Sequence, residues 1–161
     1  MEIILAENHG FCYGVKRAVE MANEAANGAG KSYTLGPIIH NPQVVGRLES
    51  KGVKPIDEVS DIDSGTMIIR SHGVGPAIYE EAENKGLNIV DATCPHVKKA
   101  QQDAKSVIED GMTLVILGEK NHPEVKSINL WANNEGIIIE DEESAQKLQI
   151  VEKMGVVVQT T

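Results

Sequence analysis

The sequence predicts an α/β fold made of two repeated, small parallel-sheet units. Three observations lead there. Helical and strand-like patterns alternate along the chain, which implies parallel strands with helices on their faces. The second half repeats the first: Cys12-x-x-Val-Lys-Arg-Ala18 is echoed by Cys94-x-x-Val-Lys-Lys-Ala100, and at the same spacing Leu35-Gly36 by Leu117-Gly118 and His40 by His122. The residues able to do chemistry fall just after the strand patterns, at or before helix starts.

Taken in order, Glu2–Ala6 reads as a first strand, because it resembles the strand-like Leu87–Asp91 ahead of the second cysteine. A helix follows Cys12, with Val15, Ala18, Val19, Ala22, Ala25 and Ala26 on one apolar face and Gly28 as a plausible stop. Ser32–Leu35 is a short strand, and Asn41-Pro42 opens a second helix with proline at its first position. A strand lies near 66–70, and Gly65–His72 resembles Gly155–Thr161, each an apolar run with a polar end. A helix over 76–85 stops at Gly86, and a strand follows at 87–91. Pro95 starts the helix that carries Val97, Ala100, Ala104, Val107 and Ile108, with Gly111 beyond its end. Strands at 113–117, 137–139 and 156–158, a helix opening at His122-Pro123 and an acidic helix start at Glu140–Glu143 complete the second copy.

Composition narrows the function. With a net charge of −9 and a pI near 5.0 the chain is a poor partner for nucleic acid, whose phosphates need clustered Lys and Arg. No apolar run is long enough to span a membrane and the N-terminus lacks the features of a signal peptide, so the reading is a cytoplasmic protein. Only two cysteines are present, which in a reducing compartment leaves buried hydrophobe, metal ligand or redox thiol. A helix N-terminus favours the thiolate, and the repeat places both cysteines alike.

Histidine at a helix start can donate to an anion and move protons near neutral pH. Position in the repeat singles out His40 and His122, and His72 shares their sheet edge. Glu124, in the first turn after His122, is either a carboxylate balancing the helix dipole or a proton donor; spacing alone leaves both open. His9 and His96 read as solvated or capping. Gly30-Lys31-Ser32 lacks the first glycine and the preceding strand of a phosphate loop, and the compact ligand spacing of small zinc modules is absent.

Together Gly10-Phe-Cys-x-Gly-Val15, Ser71-His-Gly-Val74, Asp91-Ala-Thr-Cys-Pro95, His122-Pro-Glu-Val125 and Gln159-Thr-Thr161 resemble the 4-hydroxy-3-methylbut-2-enyl diphosphate reductases over the whole chain. The resemblance implies reductive dehydroxylation of this allylic diphosphate to isopentenyl and dimethylallyl diphosphate. That is the last step of the non-mevalonate isoprenoid pathway, and it runs on a [4Fe-4S] cluster held by three cysteines and supplied by a ferredoxin- or flavodoxin-type donor. It further implies that Cys12 and Cys94 are two of the cluster ligands, that His40, His72, His122 and Thr160 contact the substrate, and that Glu124 delivers the proton. Family members are pseudo-threefold, with a third unit that carries the third cysteine. The expected division is therefore residues 1–12, packing with that third unit, then 13–93 and 94–161 as the first and second units. A chain of this extent is expected to be a truncated one, inactive by itself. The alternatives are a non-catalytic phosphate- or diphosphate-binding module with core cysteines, and a thiol redox pair.

Overall fold

A computed structural model describes residues 2–7, 9–28, 30–149 and 152–160. Its elements run α1 (Tyr13–Ala26), β1 (Ser32–Leu35), α2 (Pro42–Glu49), β2 (Val53–Ile56), a short 3₁₀ turn (Val59–Asp61), β3 (Thr66–Ile69), α3 (Pro76–Asn84), β4 (Asn88–Asp91), α4 (Pro95–Glu109), β5 (Thr113–Leu117), α5 (Pro123–Trp131), β6 (Ile137–Ile139), α6 (Glu142–Gln146) and β7 (Met154–Val158). Two sheets result, one of four strands in the order β2-β1-β3-β4 and one of three in the order β6-β5-β7. Every strand pairing in both is parallel, so all carboxyl ends within a sheet face one way.

The helices form for the reasons the pattern gives. Ala18 and Ala22 of α1 are wholly buried and pack with Ile38, Val44, Leu48 and Ile68 on one face of the larger sheet. On its other face α3 packs through Ala82 against a cluster that includes Met67, Ile69 and Leu87. In the second sheet Ala100 and Ala104 of α4 join Leu114, Ile116, Val125, Ile128 and Val157. Each large aliphatic side chain taken fully out of water in this way contributes about 1.5–3 kcal/mol against leaving it exposed. Pro42, Pro76, Pro95 and Pro123 each stand in the first turn of a helix, where a missing N–H costs nothing.

The structure departs from the sequence expectations in three places. Glu2–Ala6 is not a strand: these residues form no ladder, and Ile3, Ile4 and Leu5 are 79%, 85% and 73% exposed. Apolar character favours a strand only when a neighbouring strand takes up its N–H and C=O groups, and among the described residues none flanks this segment. The strand β2 was not anticipated, because Pro55 interrupts its apolar pattern; it pairs with β1 at the sheet's edge, where a proline removes no ladder bond from a central strand. The strand β7 also begins two residues earlier than the pattern indicates.

Candidate functional site

The carboxyl ends of the strands deliver the polar residues. Beyond β1 comes His40, beyond β3 the run Arg70-Ser71-His72, beyond β4 Cys94, beyond β5 His122 and beyond β7 Thr160. The loops are held by their backbones. The Ser71 N–H and Oγ both donate to the Ile38 carbonyl, and the Cys94 N–H donates to the Ser71 carbonyl at 2.9 Å. Three neighbouring strand ends are thereby locked together.

The histidines converge. Ring centroids lie 4.6 Å apart for His40 and His72, 5.4 Å for His72 and His122, and 6.0 Å for His40 and His122. His40 is exposed, His122 half-buried and His72 buried, and the Nδ1 of His72 is buried without a hydrogen-bond partner. Burial, with the neighbouring charges of His40, Arg70 and His122 adding to it, pushes His72 down to about 4, so it is neutral at pH 7. His122 caps α5: its Nδ1 accepts from the Glu124 N–H at 3.2 Å. A neutral imidazole whose Nδ1 accepts carries its proton on Nε2, which makes the remaining nitrogen a donor.

Glu124 is wholly buried. Its Oε1 accepts from the Thr160 N–H at 2.6 Å and from the Thr160 Oγ1 at 2.8 Å, so two residues far apart in sequence meet at the start of α5. Thr161, the last residue of the Gln-Thr-Thr motif, lies outside the described residues.

Cys12 and Cys94 are both free and stand at the N-caps of α1 and α4, Cys12 exposed and Cys94 buried, neither side chain being used as a cap. Both line one cavity of about 280 Å³, together with Gly14, His40, Ser71 and His72. Gly14 is required there, because a Cβ at its position would stand 2.6 Å from the Cys94 Sγ. The Cys94 sulfur thus lies against the first turn of α1, the helix whose N-cap is Cys12. Two thiols at two helix N-termini on one cavity suit a soft, anionic thiolate-bound cluster: the N–H groups there stabilise thiolate and sulfide charge.

His9 and His96 lie outside the histidine cluster, His9 donating from Nδ1 to the Ala6 carbonyl of its own loop at 2.8 Å. Ser32, of the rejected phosphate loop, is buried at the start of β1 with its Oγ on the Ala25 carbonyl.

Sequence reasoning missed a buried clamp behind the site. The Ser127 Oγ lies 2.8 Å from the His72 carbonyl and 2.9 Å from the Glu124 carbonyl, its one proton serving either, and it accepts from Gln101 Nε2 at 3.2 Å. Gly73, at φ +71°, lets the loop pass because a Cβ would meet that Nε2 at 2.4 Å. A serine and a glutamine on helices look solvated in a sequence, and only their burial, 2% and 4% exposed, shows their use.

Comparison with known proteins places this geometry. The family model described as LytB protein matches residues 3–161. The chain is 52% identical over 161 residues to the 4-hydroxy-3-methylbut-2-enyl diphosphate reductases of Geotalea uraniireducens and of Geobacter metallireducens, covering all of this chain and 57% of each relative. The solved structure of (E)-4-hydroxy-3-methyl-but-2-enyl diphosphate reductase, the terminal enzyme of the non-mevalonate pathway, superposes with a TM-score of 0.86 at 45% identity over 99% of this chain and 58% of that one. The Plasmodium falciparum reductase superposes at 0.91 with 33% identity, covering 96% of this chain and 50% of that one. The chain thus spans little more than half the length of the relatives it matches.

Proposed function

The chain belongs to the LytB protein family, and from that premise we propose that it supplies the substrate pocket, the proton donor and two cluster ligands of a 4-hydroxy-3-methylbut-2-enyl diphosphate reductase. The reaction removes the allylic hydroxyl as water, consuming two electrons and two protons, and yields isopentenyl or dimethylallyl diphosphate. Residues 13–93 form the first unit in this reading and 94–161 the second, with 1–12 packing against a third.

Cys12 and Cys94 would hold a [4Fe-4S] cluster in the cavity they share. When bound, that cluster supplies the electrons and, at an iron without a protein ligand, an electrophilic position for the substrate oxygen. The protein's own groups do the rest. His40, His72 and His122 close on the diphosphate. His122 is fixed as an Nε2–H donor by the Glu124 amide, and His72, neutral before binding, donates through one nitrogen or takes up a proton when the anion's charge arrives. Glu124 is the proton donor to the departing oxygen, and Thr160, donating to its Oε1 through both its N–H and its Oγ1, fixes the carboxyl group's orientation.

The observation that carries this reading is that both thiols line one cavity with His40 and His72, whose rings cluster with that of His122. A thiol redox pair needs no histidine cluster, and a plain phosphate module needs no sulfur at the same mouth. The test is anaerobic reconstitution, with iron and sulfide, of a chain extended to the length of its relatives, beside a titration with inorganic diphosphate. Brown protein that also binds diphosphate is expected; colourless protein that binds diphosphate would point to the non-catalytic module instead.

A further inference from the structure

The same three histidines can serve a second kind of ligand. One ring nitrogen from each of His40, His72 and His122 lies within 4.8 Å of the other two, and among the described residues no cysteine sulfur or carboxylate oxygen joins that group. We propose that, when no diphosphate is bound, this cluster is a binding site for a divalent first-row transition metal, zinc(II) foremost.

Three neutral nitrogen donors with a fourth position left to water is a coordination set that zinc takes readily. Tetrahedral zinc with bonds of about 2.0–2.1 Å needs nitrogens about 3.3 Å apart, so the rings must close by at most roughly 1.5 Å. Exposed His40 and half-buried His122 have room to move, while buried His72 supplies the fixed point. His72 also brings a buried Nδ1 without a hydrogen-bond partner. His122 must give up its bond to the Glu124 N–H, since an Nδ1 that accepts leaves Nε2 protonated. Metal binding therefore uncaps α5.

An inward nitrogen offers an anion its N–H or a metal its lone pair, never both at once. The histidines' two modes, N–H to diphosphate and lone pair to a metal, are accordingly exclusive. That exclusion rests on the reading that these histidines hold the diphosphate; the metal site itself does not.

The test titrates Zn²⁺ and Co²⁺ into the chain with both cysteines changed to serine, followed by calorimetry and visible absorption, with circular dichroism to show folding. The unaltered chain is the second sample, in which sulfur-to-cobalt charge transfer would reveal any thiolate in the site. One metal per chain is expected, with a tetrahedral cobalt spectrum free of sulfur bands. Affinity should fall at least about 100-fold in His72→Ala or His72→Gln and in His122→Ala, and should not change in His9→Ala or His96→Ala. No binding by folded protein, binding that survives the loss of two cluster histidines, or a site that shows sulfur bands would each overturn the proposal. Inorganic diphosphate is titrated separately with chelator present and metal absent. Diphosphate binding without metal binding sinks the metal site and leaves the reductase reading standing; metal binding without diphosphate binding supports the metal site and counts against that reading.

Discussion

Gly14→Ala puts the cavity's construction to a test in which the sign of the effect decides. In an exposed helix position this change stabilises, by about 1 kcal/mol, because alanine loses less backbone entropy on folding than glycine. At Gly14 the added Cβ would stand 2.6 Å from the Cys94 Sγ and 3.3 Å from its Cβ, inside van der Waals contact. Relieving such an overlap in a packed site costs about 1–3 kcal/mol. The helix term offsets part of that, which leaves a net loss of up to about 2 kcal/mol. For a chain of this size each kcal/mol is about 2–4 °C in Tm, so thermal melting should register a fall of several degrees at most. The functional effect should exceed the thermal one, since the displaced atom is a proposed iron ligand: iron bound per chain after reconstitution should drop while the fold persists. A variant that melts higher than the parent by the full alanine increment, and takes up iron normally, would show that the Cys94 sulfur does not lie against α1.

The other predictions concern the proton donor, the clamp and the buried histidine. Glu124→Gln, in a chain extended to the length of its relatives, should lower kcat by at least about 100-fold with little change in KM, because the amide can still accept from Thr160 but has no acidic proton. Ser127→Ala should cost about 1–3 kcal/mol in urea unfolding, since the buried Gln101 Nε2 loses its acceptor and the His72 carbonyl its donor. For His72 the folded value, about 4, lies below the ordinary 6.5. Its contribution to stability is therefore complete above pH 6.5, shrinks as pH falls from 6.5 toward 4 while the unfolded chain binds the proton first, and changes no further below that. With solvent screening at the cavity mouth the loss amounts to roughly 2 kcal/mol, and His72→Gln should flatten the slope in that window.

Much of this was legible in the sequence because its signals are local. The apolar stripes of α1 and α4 needed only a helical period, and the glycines after β1 and β5 marked strand ends where the repeat showed the histidines to be equivalent. What was not legible depends on partners distant in sequence. Glu2–Ala6 has the composition of a strand but no ladder, and β2 has a ladder but the composition of a loop. The bond from Thr160 to Glu124 joins the last described residue to α5, and spacing alone left that glutamate undecided between balancing the helix dipole and donating a proton. Ser127 and Gln101 carried no signal at all: a buried hydroxyl on a helix differs from a solvated one only in what packs over it.

The central claim is that Cys12 and Cys94 are two ligands of one cluster beside a diphosphate-holding histidine group, and iron bound per chain with its electron paramagnetic resonance spectrum tests it most directly. The measurement is made after anaerobic reconstitution of a chain extended to its relatives' length and of its Cys12→Ser and Cys94→Ser variants. The account predicts a four-iron cluster in the parent whose spectrum changes when substrate is added, and loss of most of the iron in each variant. An intact cluster in either variant, or a parent that folds and binds diphosphate but takes up no iron, would contradict it.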